Sequence, residues 1–73
     1  IDLDEMIALA TNDVSGNALL DELNRRMMHG RMSAQMKSTI LPAVTSIASN
    51  NPTLRARTAI YLVATSSQYQ VQR

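Results

Sequence analysis

Apolar residues recur every three or four positions in each long segment of this chain, and that spacing constrains its fold more than any other feature. Met36, Ile40, Val44 and Ile47, for example, follow one another at intervals of four, four and three. Such intervals place side chains on one face of an α-helix, whereas a β-strand needs alternation with a period of two. No such alternation continues beyond a few residues, so the sequence predicts an all-α fold.

A helical chain of this kind must build its core almost entirely from aliphatic side chains. Its 73 residues include no Phe, Trp or Cys, and Tyr61 and Tyr69 are its two aromatic residues. A domain of this size buries only about 60% of the surface that its unfolded chain exposes, so such a core is marginal. The lack of cysteine excludes a disulfide framework and a thiolate metal site.

Three main helices are predicted, with a short helix at each end, in one helical module over residues 1–73. The expected ranges of the main helices are 17–28, 34–49 and 52–65. Segment 2–10 has acidic residues early, which favours a helix N-terminus. The third helix contains Pro42 but its apolar stripe stays in phase on both sides, so we expect a kink there rather than a break. Ser66 or Ser67 would cap a short terminal turn.

Local capping residues support these boundaries. Gly30 follows the second helix, where a left-handed residue is favoured. Ser33 is a natural N-cap for the third helix. Asn51 would cap the fourth, with Pro52 at its first helical position.

Charges are segregated along the chain. Every acidic residue precedes Arg25 and every basic residue follows Asn24, which suggests that the acidic part faces the basic part or a partner. The second helix would be capped by Asn17 or Ser15. Its expected ion pairs are Asp21 with Arg25 and Glu22 with Arg26.

The segment "RRMMHGRMSAQM" holds four of the five methionines and the only histidine. Met28, His29 and Met32 are candidate metal ligands, because soft thioethers select Cu(I) and imidazole suits copper. Met28, Met32 and Met36 are spaced by four, but that spacing crosses the turn at Gly30 and the cap at Ser33, so the three do not lie on one continuous helix.

We therefore favour packing over metal binding in this segment. Methionine is an unbranched filler that suits irregular gaps where helices meet. Met27 and Met36 belong to apolar stripes and are expected to be buried, whereas His29 is expected to be exposed at a turn, without a metal.

No group of residues specifies a reaction or a cofactor. The single histidine has no triad partner in any sequence motif, and the carboxylates lie on surface-like positions of residues 2–22. Two glycines cannot form a phosphate-binding loop. We accordingly assign no catalytic residue and no cofactor.

The basic residues also give no reason to expect a nucleic-acid partner. The net charge is only +1, whereas nucleic-acid surfaces are usually strongly basic. Arg31, Lys37, Arg55 and Arg57 could contact an anion, but a solvated helix face is the favoured interpretation. No apolar run approaches the roughly 20 residues that span a bilayer, so membrane insertion is not expected.

The chain from residue 19 onwards is similar to a known bacterial family. Three stretches carry the likeness: "LLDELNRRMMHGRMS", "ILPAV" and "RARTAIYLVATSSQYQVQR". They resemble the C-terminal end of the family catalogued as the domain of unknown function numbered eighteen hundred. The family's Gly-Gly turn corresponds here to His29 and Gly30, which implies that His29 is a turn residue.

The family's chains end in an aliphatic helix, Ser-Pro, an acidic residue, an aromatic residue and a Gln-Arg-like tail. Ser66, Tyr69, Gln72 and Arg73 lie at the matching places, while Ser67 replaces the usual proline and Gln68 the acidic residue. Tyr69 is expected to fold back against the third and fourth helices. The resemblance brings no catalytic motif.

Family members are commonly several hundred residues long and exported, often with a twin-arginine type signal. The resemblance therefore implies that this chain is the last helical segment of an exported, periplasmic or extracellular protein. Its expected role is structural: it docks on the remainder of its parent protein or on another protein. The alternatives are a scaffold part of an enzyme whose active site lies upstream, and an autonomous helical binding module.

Overall fold

The computed structural model describes the backbone of residues 3–71 and the side chains of residues 3–66. The described backbone forms four α-helices, and the prediction of an all-α fold is confirmed. They are α1 (Leu3–Asn12), α2 (Asn17–Met27), α3 (Ala34–Thr45) and α4 (Pro52–Val71).

Buried apolar side chains from each helix, together with Met28 directly after α2, form one core. α4 packs against each of the other helices and most extensively against α1. Its buried face carries two alanines and a valine, and such small side chains allow neighbouring helix axes to approach closely. The buried apolar residues are Met6, Ala10, Leu19, Leu20, Leu23, Met28, Met36, Ile40, Val44, Ala56, Ala59 and Val63.

The predicted N-caps of α3 and α4 are present. Ser33 has an extended backbone, and its side chain accepts a hydrogen bond from the amide of Met36 at 3.0 Å. The side chain of Asn51 accepts one from the amide of Leu54 at 3.2 Å, and Pro52 is the first helical residue. These short-range bonds satisfy amides that lack an intrahelical partner.

Neither predicted residue occupies the N-cap position of α2, although the Ser15 hydroxyl accepts a hydrogen bond from the amide of Asn17 at 3.3 Å. Gly16, with φ 83°, occupies the N-cap position and makes no side-chain bond. Asp13 supplies the acceptor instead, because its carboxylate receives the amide of Ala18 at 3.0 Å and that of Ser15 at 3.0 Å. Hydrogen bonds, foremost that from the Ser15 side chain, lower the pKa of the Asp13 carboxyl.

α3 is shorter than the predicted range of 34–49. It continues past Pro42 but ends at Thr45. Thr45 and Ser46 turn their hydroxyls back to carbonyls of the preceding turn, those of Leu41 and Ala43. The carbonyls of Thr45 and Ile47 also bond to a side chain of α4, described below.

α4 is longer than the predicted range of 52–65. It continues to Val71 in one piece, so the separate terminal turn predicted at Ser66 or Ser67 was wrong. No glycine or proline interrupts the sequence after Pro52, and the Thr65 hydroxyl bonds within the helix to the Tyr61 carbonyl at 2.9 Å. The expected fold-back of the Tyr69 side chain lies outside the described residues.

Candidate functional site

The methionine and histidine segment divides between core and solvent. Met28 is 8% exposed, Met32 is partly buried against the core, and His29 is exposed. Met36 is buried as predicted. Met27 is only partly buried, so the prediction that it is buried was wrong. Met28, the residue directly after α2, lies in the core instead.

One asparagine of α2 organises the turn between α2 and α3. The Asn24 carbonyl accepts from the amides of Met28 at 3.0 Å and Gly30 at 3.1 Å. Its side-chain oxygen accepts from the amide of Met32 at 2.9 Å. Asn24 thus holds three amides of residues 28–32. We call residues 28–33, with this side chain, the Asn24 turn.

The Asn24 turn contains two consecutive left-handed residues. His29 has φ 55° and Gly30 has φ 80°. Gly30 is the left-handed residue that the sequence predicts after α2. His29 is a turn residue too, but a side chain makes the left-handed conformation cost roughly 1–2 kcal/mol.

Metal binding at Met28, His29 and Met32 is not needed to account for the two methionines, because both pack in or against the core. In the described part of the chain, no three His, Asp or Glu side chains form a metal-binding group. The preference for packing stays a prediction. A titration with Cu(I) tests it, and a micromolar site lost in Met32→Ala or His29→Ala would contradict it.

The least expected feature is a buried arginine. Arg55, in the first turn of α4, is 5% exposed. Its Nε donates to the carbonyl of Ile47 at 2.9 Å, one terminal nitrogen to that of Val14 at 2.7 Å, and the other to that of Thr45 at 3.4 Å. We call these four residues the Arg55 junction. It joins the α1–α2 loop, the end of α3 and the start of α4.

The prediction that Arg55 lies on a solvated helix face was therefore wrong. The C-terminal end of a helix carries partial negative charge on its unpaired carbonyls, which favours a cation there. A guanidinium can meet several such carbonyls at once because its donors form a rigid fork. Arg55 thus closes the end of α3, and its charge is not available to an external anion.

The other basic residues of that predicted surface do not form one patch with Arg55. Lys37 pairs with Asp21, Nζ to Oδ1, at 2.9 Å. Arg31 is exposed in the Asn24 turn, and Arg57 is exposed on α4. Asp21 was expected to pair with Arg25, and its pairing across helices with Lys37 corrects that prediction.

A charged network lines a shallow groove between α1 and α2. Glu22 pairs with Arg25 and, as predicted, with Arg26. Arg26 also reaches Glu5 of α1 at 2.7 Å. Hydrogen bonds from Arg25 and Arg26 lower the pKa of Glu22 to about 2. With the Asp21–Lys37 pair, this network shows acidic residues of the first third facing basic residues that follow.

α4 also presents an outer face that the core does not use. Leu54 is 45% exposed and Tyr61 is 66% exposed. They lie seven positions apart, about two helical turns, so they share one side of the helix. Arg57, exposed, lies between them. We call Leu54, Arg57 and Tyr61 the α4 outer face.

Comparisons of the chain with family models, curated proteins and solved structures find no match. Among the helices of residues 3–71, none is both long and apolar enough to cross a membrane.

Proposed function

We propose that this chain is a structural module that docks, through the α4 outer face, on the remainder of an exported bacterial protein. The exposure of Leu54 and Tyr61 carries this proposal. Large apolar side chains grouped on a surface mark sites of protein–protein contact. The same helix packs against each of the other three, so the face lies on an element that the fold holds in place.

Two further features support a docking role. Tyrosine and arginine are enriched at the energetic centres of protein interfaces, and both are present on this face. The resemblance of residues 19–73 to the C-terminal end of an exported family supports a partner within the same polypeptide. A periplasmic or extracellular location is part of the proposal.

The second candidate is an autonomous module that binds a separate protein. The exposed apolar side chains of the α4 outer face favour it equally, because they do not identify the polypeptide that covers them. A scaffold role within an enzyme is a special case of docking on the parent protein. The identity of the contacting segment therefore separates the candidates.

Photo-crosslinking from the face identifies that segment. A benzophenone amino acid replaces Tyr61 in the protein expressed from its natural gene, and Gln35, exposed on α3, is the control position. After irradiation, mass spectrometry maps the crosslinks. We expect a crosslink from position 61 to another segment of the same polypeptide, and a much weaker one from position 35.

The other outcomes are equally informative. A crosslink from position 61 to a separate protein supports the autonomous binding module and contradicts docking on the parent. Equal or absent crosslinking at the two positions contradicts a docking role for this face.

A further inference from the structure

The charge of the α4 outer face restricts what can cover it. Arg57 lies between the two exposed apolar residues along the helix, so a partner that contacts both Leu54 and Tyr61 comes within reach of the guanidinium. A charge that is covered without a partner is strongly unfavourable, because its hydration is lost. The partner must therefore offer an acceptor at this point.

Among the side chains that the structure describes, residues 3–66, none supplies that acceptor. The ion pairs among the described side chains use Arg25, Arg26 and Lys37, and none involves Arg57. From Pro52 onwards the sequence contains no Asp or Glu. The α4 outer face is consequently cationic at its centre and apolar at both ends.

A second copy of this chain is a poor occupant. Two-fold antiparallel packing of α4 on α4 would place Leu54 opposite Tyr61, but it would bring both copies of Arg57 close to the axis. Parallel two-fold packing would place Arg57 opposite Arg57. Symmetry requires the same patch on both copies, and opposed like charges are repulsive.

We propose that the α4 outer face binds a partner segment in which a carboxylate lies between two apolar side chains. The carboxylate pairs with Arg57, and the apolar groups contact Leu54 and Tyr61. Arginine suits this task because its fork binds a carboxylate through two parallel hydrogen bonds. This inference rests on the proposed docking function and specifies the chemistry of the segment that docks.

Carbodiimide crosslinking tests for that carboxylate. The reagent joins an amine to a carboxylate within direct reach, as an amide, and is itself converted to a urea. Arginine does not react, so Arg57→Lys introduces an amine at the centre of the face while keeping the charge. Arg31→Lys, in the exposed Asn24 turn, is the matched control. Lys37 beside Asp21 provides an internal positive control.

The experiment uses the protein expressed from its natural gene, with peptide mass spectrometry as the readout. We expect Arg57→Lys to give a crosslink to an Asp or Glu that is flanked by apolar residues and lies outside these 73 residues. The Arg31→Lys variant should lack it. A crosslink from the introduced amine to an acidic residue of a second copy would overturn the proposal.

The two proposals fail differently. If the photoreactive group at position 61 captures a segment but Arg57→Lys captures no carboxylate, docking stands and the acidic partner chemistry is wrong. If position 61 captures nothing, the docking function itself fails, whatever the carbodiimide result.

Discussion

The two polar anchors of this small protein, the Asn24 turn and the Arg55 junction, differ mainly in the length of chain that they connect. In the Asn24 turn the most distant bond joins residues eight positions apart. In the Arg55 junction one bond joins residues 41 positions apart, from α4 back to the loop after α1. The first anchor shapes a local turn, whereas the second holds separate segments together.

The two anchors also differ in how they look in the sequence. The Asn24 turn holds two of the five methionines and the single histidine, a composition that resembles a metal site. The Arg55 junction consists of ordinary residues and three main-chain carbonyls. The polar bond that spans 41 positions belongs to the inconspicuous anchor.

The largest expected effect is at Arg55. Arg55→Met keeps much of the aliphatic volume but leaves the carbonyls of Val14, Thr45 and Ile47 without their donor. Hydrogen bonds to charged groups contribute about 1.5–3 kcal/mol each, and they do not add fully. We expect a loss of about 4 kcal/mol in the free energy of unfolding, measured by urea denaturation.

Arg57→Met is the matched control, because Arg57 is exposed on the same helix. Its change in unfolding free energy should stay within about 0.5 kcal/mol. Equal losses of unfolding free energy in Arg55→Met and Arg57→Met would contradict a stabilising role of the Arg55 junction.

The two glycines provide the next test: Gly30 lies in the Asn24 turn, and Gly16 lies close to Val14 of the Arg55 junction. Gly16 and Gly30 both have left-handed φ, so alanine strains either position. At Gly16 an added Cβ would also lie 3.0 Å from the Leu41 side chain, whereas at Gly30 nothing lies within 4 Å. We expect Gly16→Ala to cost about 2 kcal/mol and Gly30→Ala about 1 kcal/mol by denaturation. A larger loss of stability at Gly30 than at Gly16 would show that the contact between the added Cβ and Leu41 does not set the cost at Gly16.

Features set by neighbours in the chain could be predicted from the sequence. The all-α class, the caps at Ser33 and Asn51 and the turn at Gly30 depend on residues within one or two helical turns. The cap of α2 was missed because Asp13 does not stand at the N-cap position, which is Gly16, but accepts the amide of Ala18 from before the turn. Its signal, an aspartate before Ser-Gly, was present, but the sequence also offered nearer caps.

Features set by tertiary contacts could not be predicted. An arginine in a helical pattern is exposed far more often than buried, so no local signal marked Arg55. The early end of α3 depends in part on that arginine. The α4 outer face was missed because Leu54 and Tyr61 look like core residues in an apolar helix, and only packing decides which side of the helix is buried.

A smaller effect of opposite sign is expected at His29. His29→Gly relieves the left-handed strain of a residue with a Cβ, although glycine also makes the unfolded chain more flexible. The relief of strain should exceed the cost of the more flexible unfolded chain, so His29→Gly should raise the unfolding free energy by about 0.5 kcal/mol. His29→Ala keeps the Cβ and should bring no such gain. If both variants behave alike, the backbone of residue 29 is not strained.

The smallest effect is the pH dependence from Glu22. Its pKa in the folded protein, about 2, lies below the ordinary value of 4.5. The folded state therefore binds this proton less readily than the unfolded state, and the stabilisation is present above pH 4.5 and is lost as pH falls to about 2. The difference in stability between wild type and Glu22→Gln should shrink over that range. A difference that is constant with pH would contradict the pairing with Arg25 and Arg26.

The most direct test of the Arg55 junction is the nuclear magnetic resonance signal of its Nε–H. This proton is buried and donates to the Ile47 carbonyl, so its exchange with water should be slow. A nitrogen–proton correlation spectrum at neutral pH should show a slowly exchanging arginine Nε–H signal that disappears in Arg55→Lys and persists in Arg57→Lys. If the Nε–H of Arg55 exchanges as fast as that of Arg57, the side chain is solvated and the junction does not exist.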